Sequence, residues 1–278
     1  MKDRAVIWVN WGTSEELMLQ RSTKSAEAHT NADFFVISDS ELHLPESVKR
    51  IPHQFSSRGF ARKAEALAHA VPGGYSTYLF LDADTVVLDD ISFGFEQAKR
   101  FGIAIAAAPT YLLDEYHRTA EILEKEGIGT HGQLLFSTGV FFFSHEILES
   151  GLFDAWLKLT EVHQLTMRGD QELLTVALEL TNINPYVLSK SYNTRGRYDT
   201  IIGKTRIWHQ KSPVPAEINQ YEKAYPPRIL ARGKIANLRL KDTYGGWFRY
   251  LRLNIHSITS PKSALNLLRE ILSSRKWQ

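Results

Sequence analysis

The sequence predicts an α/β fold built on a mostly parallel central sheet with helices on both faces, and three observations carry the prediction. Short, unbroken apolar runs such as Tyr78-Leu79-Phe80-Leu81 recur along the chain, as expected of strands buried on both sides. Strand, helix and strand follow one another from the start, in Ala5–Asn10, Thr13 to about His29, and Phe34–Asp39, which is the opening of a doubly wound sheet. Several runs end on polar or acidic residues, and ligands of such sheets bind beyond the carboxyl ends of the strands.

Composition agrees with this class. At 278 residues the chain can bury a sizeable core, and an apolar share of 43% places it outside the disordered and membrane-spanning classes. The opening Met1-Lys2-Asp3-Arg4-Ala5 lacks the apolar run of a signal peptide, and no stretch approaches the ~20 apolar residues of a membrane span. With no cysteine, any metal must be held by oxygen and imidazole. The net charge of +2 is unevenly spread: Arg228–Gln278 carries +9 and the remainder −7. A catalytic domain over 1–227 and a basic, aromatic-rich extension over 228–278 are therefore expected.

In chain order, Ala5–Asn10 is apolar up to its last residue, and Thr13-Ser14-Glu15-Glu16 has the form of a capping box that opens a helix. Phe34–Asp39 is the second strand. Asn10, Trp11 and Asp39 all fall at the carboxyl edge, where Trp11 could stack on a base and Asp39 accept from a base or ribose; loop packing and turn chemistry account for them equally well. Phe60–Ala70 is rich in helix formers, and Arg62 and Lys63 near its start face either an anionic ligand or solvent. After Pro72-Gly73-Gly74 comes the strand ending at Asp82. Phe95–Phe101 is the next helix, Ile103–Ala108 a strand closed by Pro109, and Asp114–Glu126 a charged helix stopped by Gly127. Leu134–Ser144 is a buried strand interrupted by Ser137-Thr138-Gly139, where the glycine marks either a close backbone approach or a bulge. Phe153–Leu165 and Gly169–Leu178 are helices, and Asp170 suits an N-cap. Pro185–Ser189 and Thr205–His209 are the last strands, separated by a loop at Tyr192-Asn193.

The chemistry centres on Asp82 and Asp84. Side chains two apart in an extended chain point the same way, so both carboxylates reach one point, and Ala83 leaves room there. Two such charges repel without a counter-ion, and a hard divalent cation, Mn²⁺ or Mg²⁺, resolves the conflict. The plain alternative is that the acids end the strand and shape a turn. His209, at the end of the last strand, is either structural or a ligand. Beyond Pro226-Pro227 the chain alternates aromatics and bases, then carries a helical pattern at Lys262–Ser274. That pattern suits an anionic membrane surface or docking on the protein's own core.

With these residues in place, the chain resembles glycosyltransferases of the GT-A fold and, within them, the family 8 hexosyltransferases. The resemblance runs through Phe80-Leu81-Asp82-Ala83-Asp84 as the DxD motif, Ser137-Thr138-Gly139-Val140, Gly169-Asp170-Gln171 and Trp208-His209-Gln210-Lys211, and covers roughly Ala5 to Pro215. It implies that Asp82, Asp84 and His209 hold Mn²⁺ or Mg²⁺, which also binds the diphosphate of a nucleotide sugar, UDP above all. It further implies that Lys211 contacts that diphosphate, that Asp170 and Gln171 face the transferred sugar, and that Asn10, Trp11 and Asp39 line the nucleotide. Two departures from that pattern stand: Ser137-Thr138-Gly139 where the family often has Asn-Ala-Gly, and a single residue between His209 and Lys211.

The acceptor expected from the resemblance and the basic tail is a glycan or lipid-linked molecule of the cell-surface polysaccharide or lipopolysaccharide type. The expected location is cytoplasmic, with peripheral contact at the inner membrane face, and no nucleic-acid partner is expected. Two rivals remain. A haloacid-dehalogenase-like phosphatase would use Asp82 as nucleophile and Asp84 as acid/base, although such enzymes usually open with the motif and this chain places two strands before it. A nucleotide-sugar-binding protein without turnover would need no complete ligand set.

Overall fold

A computed structural model of the chain describes residues 3–112, 119–129, 134–163, 170–195, 204–214 and 218. The basic stretch from Arg228 onward lies outside them, with the helix expected at 262–274 and the expected domain boundary. Residues 113–118, at the start of the helix expected over 114–126, also lie outside.

Seven strands form the main sheet: β1 (Arg4–Asn10), β2 (Asp33–Ser38), β3 (Val48–Pro52), β4 (Thr77–Leu81), β6 (Ile103–Leu112), β7 (Leu134–Ser144) and β8 (Tyr186–Leu188), in the order β3-β2-β1-β4-β7-β6-β8. All are parallel to their neighbours except β7, which runs antiparallel to both β4 and β6. A two-stranded ribbon pairs β5 (Thr85–Val87) with β9 (Ile207–His209). The helices are α1 (Glu16–His29), α2 (Ala61–His69), α3 (Ser92–Phe101), α4 (Thr119–Lys125), α5 (His145–Glu149), α6 (Leu152–His163) and α7 (Gln171–Leu180).

Period-two alternation divides the strand side chains between two apolar layers. Ile7, Tyr78, Phe80, Phe141 and Phe143 pack with α2, α6 and α7, whereas Val6, Trp8, Leu79, Leu81 and Phe142 pack with α1 and α3. The β4–β7 register puts Tyr78 opposite Phe143 and Phe80 opposite Phe141, and both pairs stack, with ring centroids 5.0 and 5.1 Å apart. Such cross-strand aromatic pairs stabilise by about 1 kcal/mol each beyond their burial. Gly94 lets α3 approach the sheet, since a Cβ there would lie 2.4 Å from the Phe142 ring.

Four local expectations are corrected. The capping box does not form: Glu15 occupies the N-cap position without a side-chain bond to the helix's own N–H groups, and Glu16 instead accepts from the His43 backbone N–H. β6 continues past Pro109, in a stretch where its pairing with β7 shifts register and a missing N–H is tolerated. The short strands β3 and β5 escaped the pattern: β3 is a charged edge strand, and β5 follows the acids too closely to stand out. Asp170 makes no N-cap bond. No helix among the described residues is long and apolar enough to cross a membrane.

Candidate metal and donor site

β4 ends at Leu81, and the chain turns so that the Asp82 backbone N–H still bonds to Gly139 O on β7 at 2.9 Å. A buried relay holds this turn. The Trp8 indole donates to Ser22 Oγ, Ser22 to Thr85 Oγ1, and Thr85 Oγ1 to the Asp82 carbonyl, at 2.9, 2.9 and 2.7 Å. Thr85 opens β5 and is also the register partner of His209 on β9. The ribbon thereby delivers an imidazole from 125 positions downstream to the acid pair.

One ligand atom each from Asp82, Asp84 and His209 lies within 4.8 Å of the others. His209 Nε2 is 3.2 Å from Asp84 Oδ1 and 3.6 Å from Asp82 Oδ2. Gly139 makes the approach possible: a Cβ there would fall 2.0 Å from His209 Cε1 and 2.7 Å from Asp82 Oδ2. Of the two readings of this glycine, close approach is the one observed. Two carboxylates, one imidazole and a cradle that only a glycine leaves open fit a divalent ion of the Mn²⁺ or Mg²⁺ kind.

Lys63 completes the charge balance. It lies buried on the sheet side of α2, with Nζ 2.7 Å from Asp82 Oδ1 and 3.3 Å from Asp170 Oδ2. Thr138 Oγ1 donates to the other Asp170 oxygen at 2.7 Å. Burial opposes ionisation of Asp82, but the Lys63 ammonium and the bond from His209 outweigh it and hold the carboxyl well below the usual range. Burial likewise opposes charge on Lys63, and Asp170 and Asp82 reverse it, so its ammonium is held more firmly than in water. His209 is raised despite its burial by bonds to Asp82 and Asp84.

A cavity of about 360 Å³ opens above these groups, lined by Asn10, Trp11, Lys63, Ala83, His209 and Lys211 among others. Asn10 donates to Gly12 O and Asp39 accepts from the Gly12 N–H, so both shape the turn after β1. Arg62 diverges from Lys63 and sits 5.6 Å from the Trp11 ring centroid. Asp39, Arg62, Asp170 and Gln171 are not among the lining residues; Asp170 reaches the acid pair through Lys63, and Gln171 Oε1 is buried without a partner. Lys211 pairs with Glu15 at the exposed rim of the cavity.

Sequence reasoning missed Asn193, whose Oδ1 lies 2.7 Å from His209 Nδ1, and the joint hold of Thr138 and Lys63 on Asp170. No linear signal marks Asn193: the bond closes over 16 residues through the 3₁₀ turn at Lys190–Tyr192.

No protein-family profile and no curated protein matches the sequence. Among solved structures, mouse xyloside xylosyltransferase 1 in its apo form is similar, with a TM-score of 0.53 at 16% identity over 77% of this chain and 100% of that one. At that identity the likeness carries the fold. The chain shares the α/β fold of that structure and carries an Asp-Asp-His group suited to a metal at the carboxyl edge of its sheet.

Proposed function

We propose that the protein is a metal-dependent glycosyltransferase that moves a sugar from a nucleotide-diphosphate donor, a UDP-sugar first among candidates, to a glycan or lipid-linked acceptor. The observation that carries this reading is the convergence of Asp82, Asp84 and His209 within 4.8 Å at the edge where this fold class takes its ligands. In the transfer, the bond between the sugar and the diphosphate breaks and an acceptor hydroxyl takes the diphosphate's place. When bound, a divalent cation supplies neutralisation of the charge that develops on the leaving phosphate.

The chain's own residues divide the remaining work. Asp82, Asp84 and His209 hold the ion. Lys211, mostly exposed, exchanges Glu15 for the diphosphate and stabilises its charge. Trp11 offers a ring face to the base, backed by Arg62. Asp170, fixed between Thr138 and Lys63, and Gln171 stand outside the cavity lining and come to face the sugar when the donor is bound. The +9 stretch from Arg228 to Gln278 is proposed as a separate unit that meets an anionic membrane surface, consistent with a lipid-linked acceptor.

A thermal-shift screen of nucleotide sugars, including a xylose donor, with and without Mn²⁺ tests the reading, because a ligand that binds the folded state raises its stability by mass action. One nucleotide sugar should raise the melting temperature in a Mn²⁺-dependent way. Asp84→Ala and His209→Ala should remain folded yet lose that shift and reduce transfer by orders of magnitude. Full transfer by either variant, or by the wild type in excess chelator, defeats the proposal.

A further inference from the structure

We propose that Asn193 is a positioning residue that fixes the tautomer of His209, presenting Nε2 and not Nδ1 to the ion held with Asp82 and Asp84. This rests on the metal reading above and goes one shell beyond it.

Three features of the geometry converge. Asn193 is buried, and its Oδ1 lies 2.7 Å from His209 Nδ1. An amide oxygen can only accept, so Nδ1 carries the proton in this bond. Nε2 points to where the Asp84 and Asp82 oxygens already lie, at 3.2 and 3.6 Å. Without metal these oxygens hold a proton on Nε2; once a cation displaces it, the neutral ring keeps its one proton on Nδ1, and Nε2 and the two carboxylates can all hold the ion.

The ring also has nowhere else to go. The Gly139 backbone stands so near that even a methyl group there would lie 2.0 Å from Cε1 and 2.8 Å from Nδ1. His209 is therefore clamped between β7 and the Asn193 amide, and turning the ring over would break the 2.7 Å bond. The His209 backbone N–H is held as well, by Thr194 O at 2.9 Å, so Asn193 and Thr194 grip side chain and main chain from adjacent positions. Such outer partners commonly set ligand orientation and basicity, and their loss weakens metal binding about 10–100-fold. Asn193 is a neutral acceptor. A carboxylate in its place would make the imidazole a stronger donor, so the amide holds affinity below what the site could reach.

The test uses the full chain and the metal ion alone, without nucleotide. Mn²⁺ binding is followed by electron paramagnetic resonance, and the His209 tautomer by long-range ¹H–¹⁵N correlation with saturating Mg²⁺ in place of Mn²⁺, with His209→Ala supplying the assignment. Wild type should show the Nδ1–H tautomer. Asn193→Leu should weaken Mn²⁺ binding at least tenfold and lose that tautomer, whereas Asn193→Asp should keep it and bind at least as tightly as wild type. An Nε2–H tautomer in wild type, Mn²⁺ binding by Asn193→Leu within twofold of wild type, or a tenfold loss in Asn193→Asp would each overturn the inference and leave the metal reading intact. The wild-type tautomer and Asn193→Asp still decide the matter should Asn193→Leu fail to fold. Absence of Mn²⁺ binding by wild type would remove the metal reading itself, and the role of Asn193 with it.

Discussion

Asp82 and Asp84 follow directly on β4, a central strand paired on both sides, whereas His209 stands at the end of a three-residue strand in a two-stranded ribbon. The acids are held by the Trp8–Ser22–Thr85 relay beneath them and by Lys63 beside them. The imidazole is held by Asn193, by Thr194 and by pairing with β5. The acid side thus draws its rigidity from the main sheet, and the imidazole side from a few bonds that close over long stretches of chain. Thr85 belongs to both sides and joins them.

The largest effect should come from removing the counter-charge on the acid side. Lys63→Met leaves Asp82 and Asp170 in their places without the ammonium they share, and breaking a buried pair in this way costs about 3–5 kcal/mol. Urea unfolding should show that loss in the absence of metal, with a part of it restored by Mn²⁺. Unchanged stability would mean that the acids are balanced from elsewhere.

A sharper contrast lies two residues along. Asp170 accepts from Thr138 and is ion-paired with Lys63, whereas Glu172 is fully buried with neither oxygen bonded to another residue. Burial, reinforced by the neighbouring Asp170 charge, pushes the Glu172 carboxyl up to about 7 from an ordinary 4.5. Folding therefore takes up a proton between these values, so the favourable contribution is full below the ordinary carboxylate range and is lost as pH rises through about 7. Glu172→Gln should accordingly gain on wild type over that window, by up to about 3 kcal/mol once the carboxyl is ionised, at 1.36 kcal/mol per unit. Denaturant midpoints across the pH range read this directly, and a difference that stays flat from pH 4 to 8 would contradict it.

The smallest effect belongs to the joint. Thr85→Val keeps the shape but removes the hydroxyl that links Ser22 to the Asp82 carbonyl, and should cost about 1 kcal/mol by urea titration. A loss above about 3 kcal/mol would show that the relay supports more than the turn.

Much of this architecture was legible in linear form. The apolar runs at β1, β2, β4 and β7 announce buried strands because both faces of each are covered, and the alternating helices follow from the same requirement. The convergence of Asp82 and Asp84 is also local, since a spacing of two in an extended chain brings side chains to one face. Gly139 marked a close approach without naming what approaches. The edge strand β3 was hidden because an edge needs no continuous apolar run, and the capping box failed because Glu16 found a partner in the loop at His43.

The sequence alone determined the sheet class, the acid pair and the order in which its candidate partners arrive, because each rests on periodicity within a few residues. Only the tertiary structure decided that His209, rather than solvent, faces those acids, that Lys63 turns inward while Arg62 goes to Trp11, and that Asn193 holds the imidazole. Those outcomes depend on register across the β5–β9 ribbon and on how closely α2 lies against the sheet. Register and helix approach are set by packing summed over the whole chain, and no short stretch of residues encodes them.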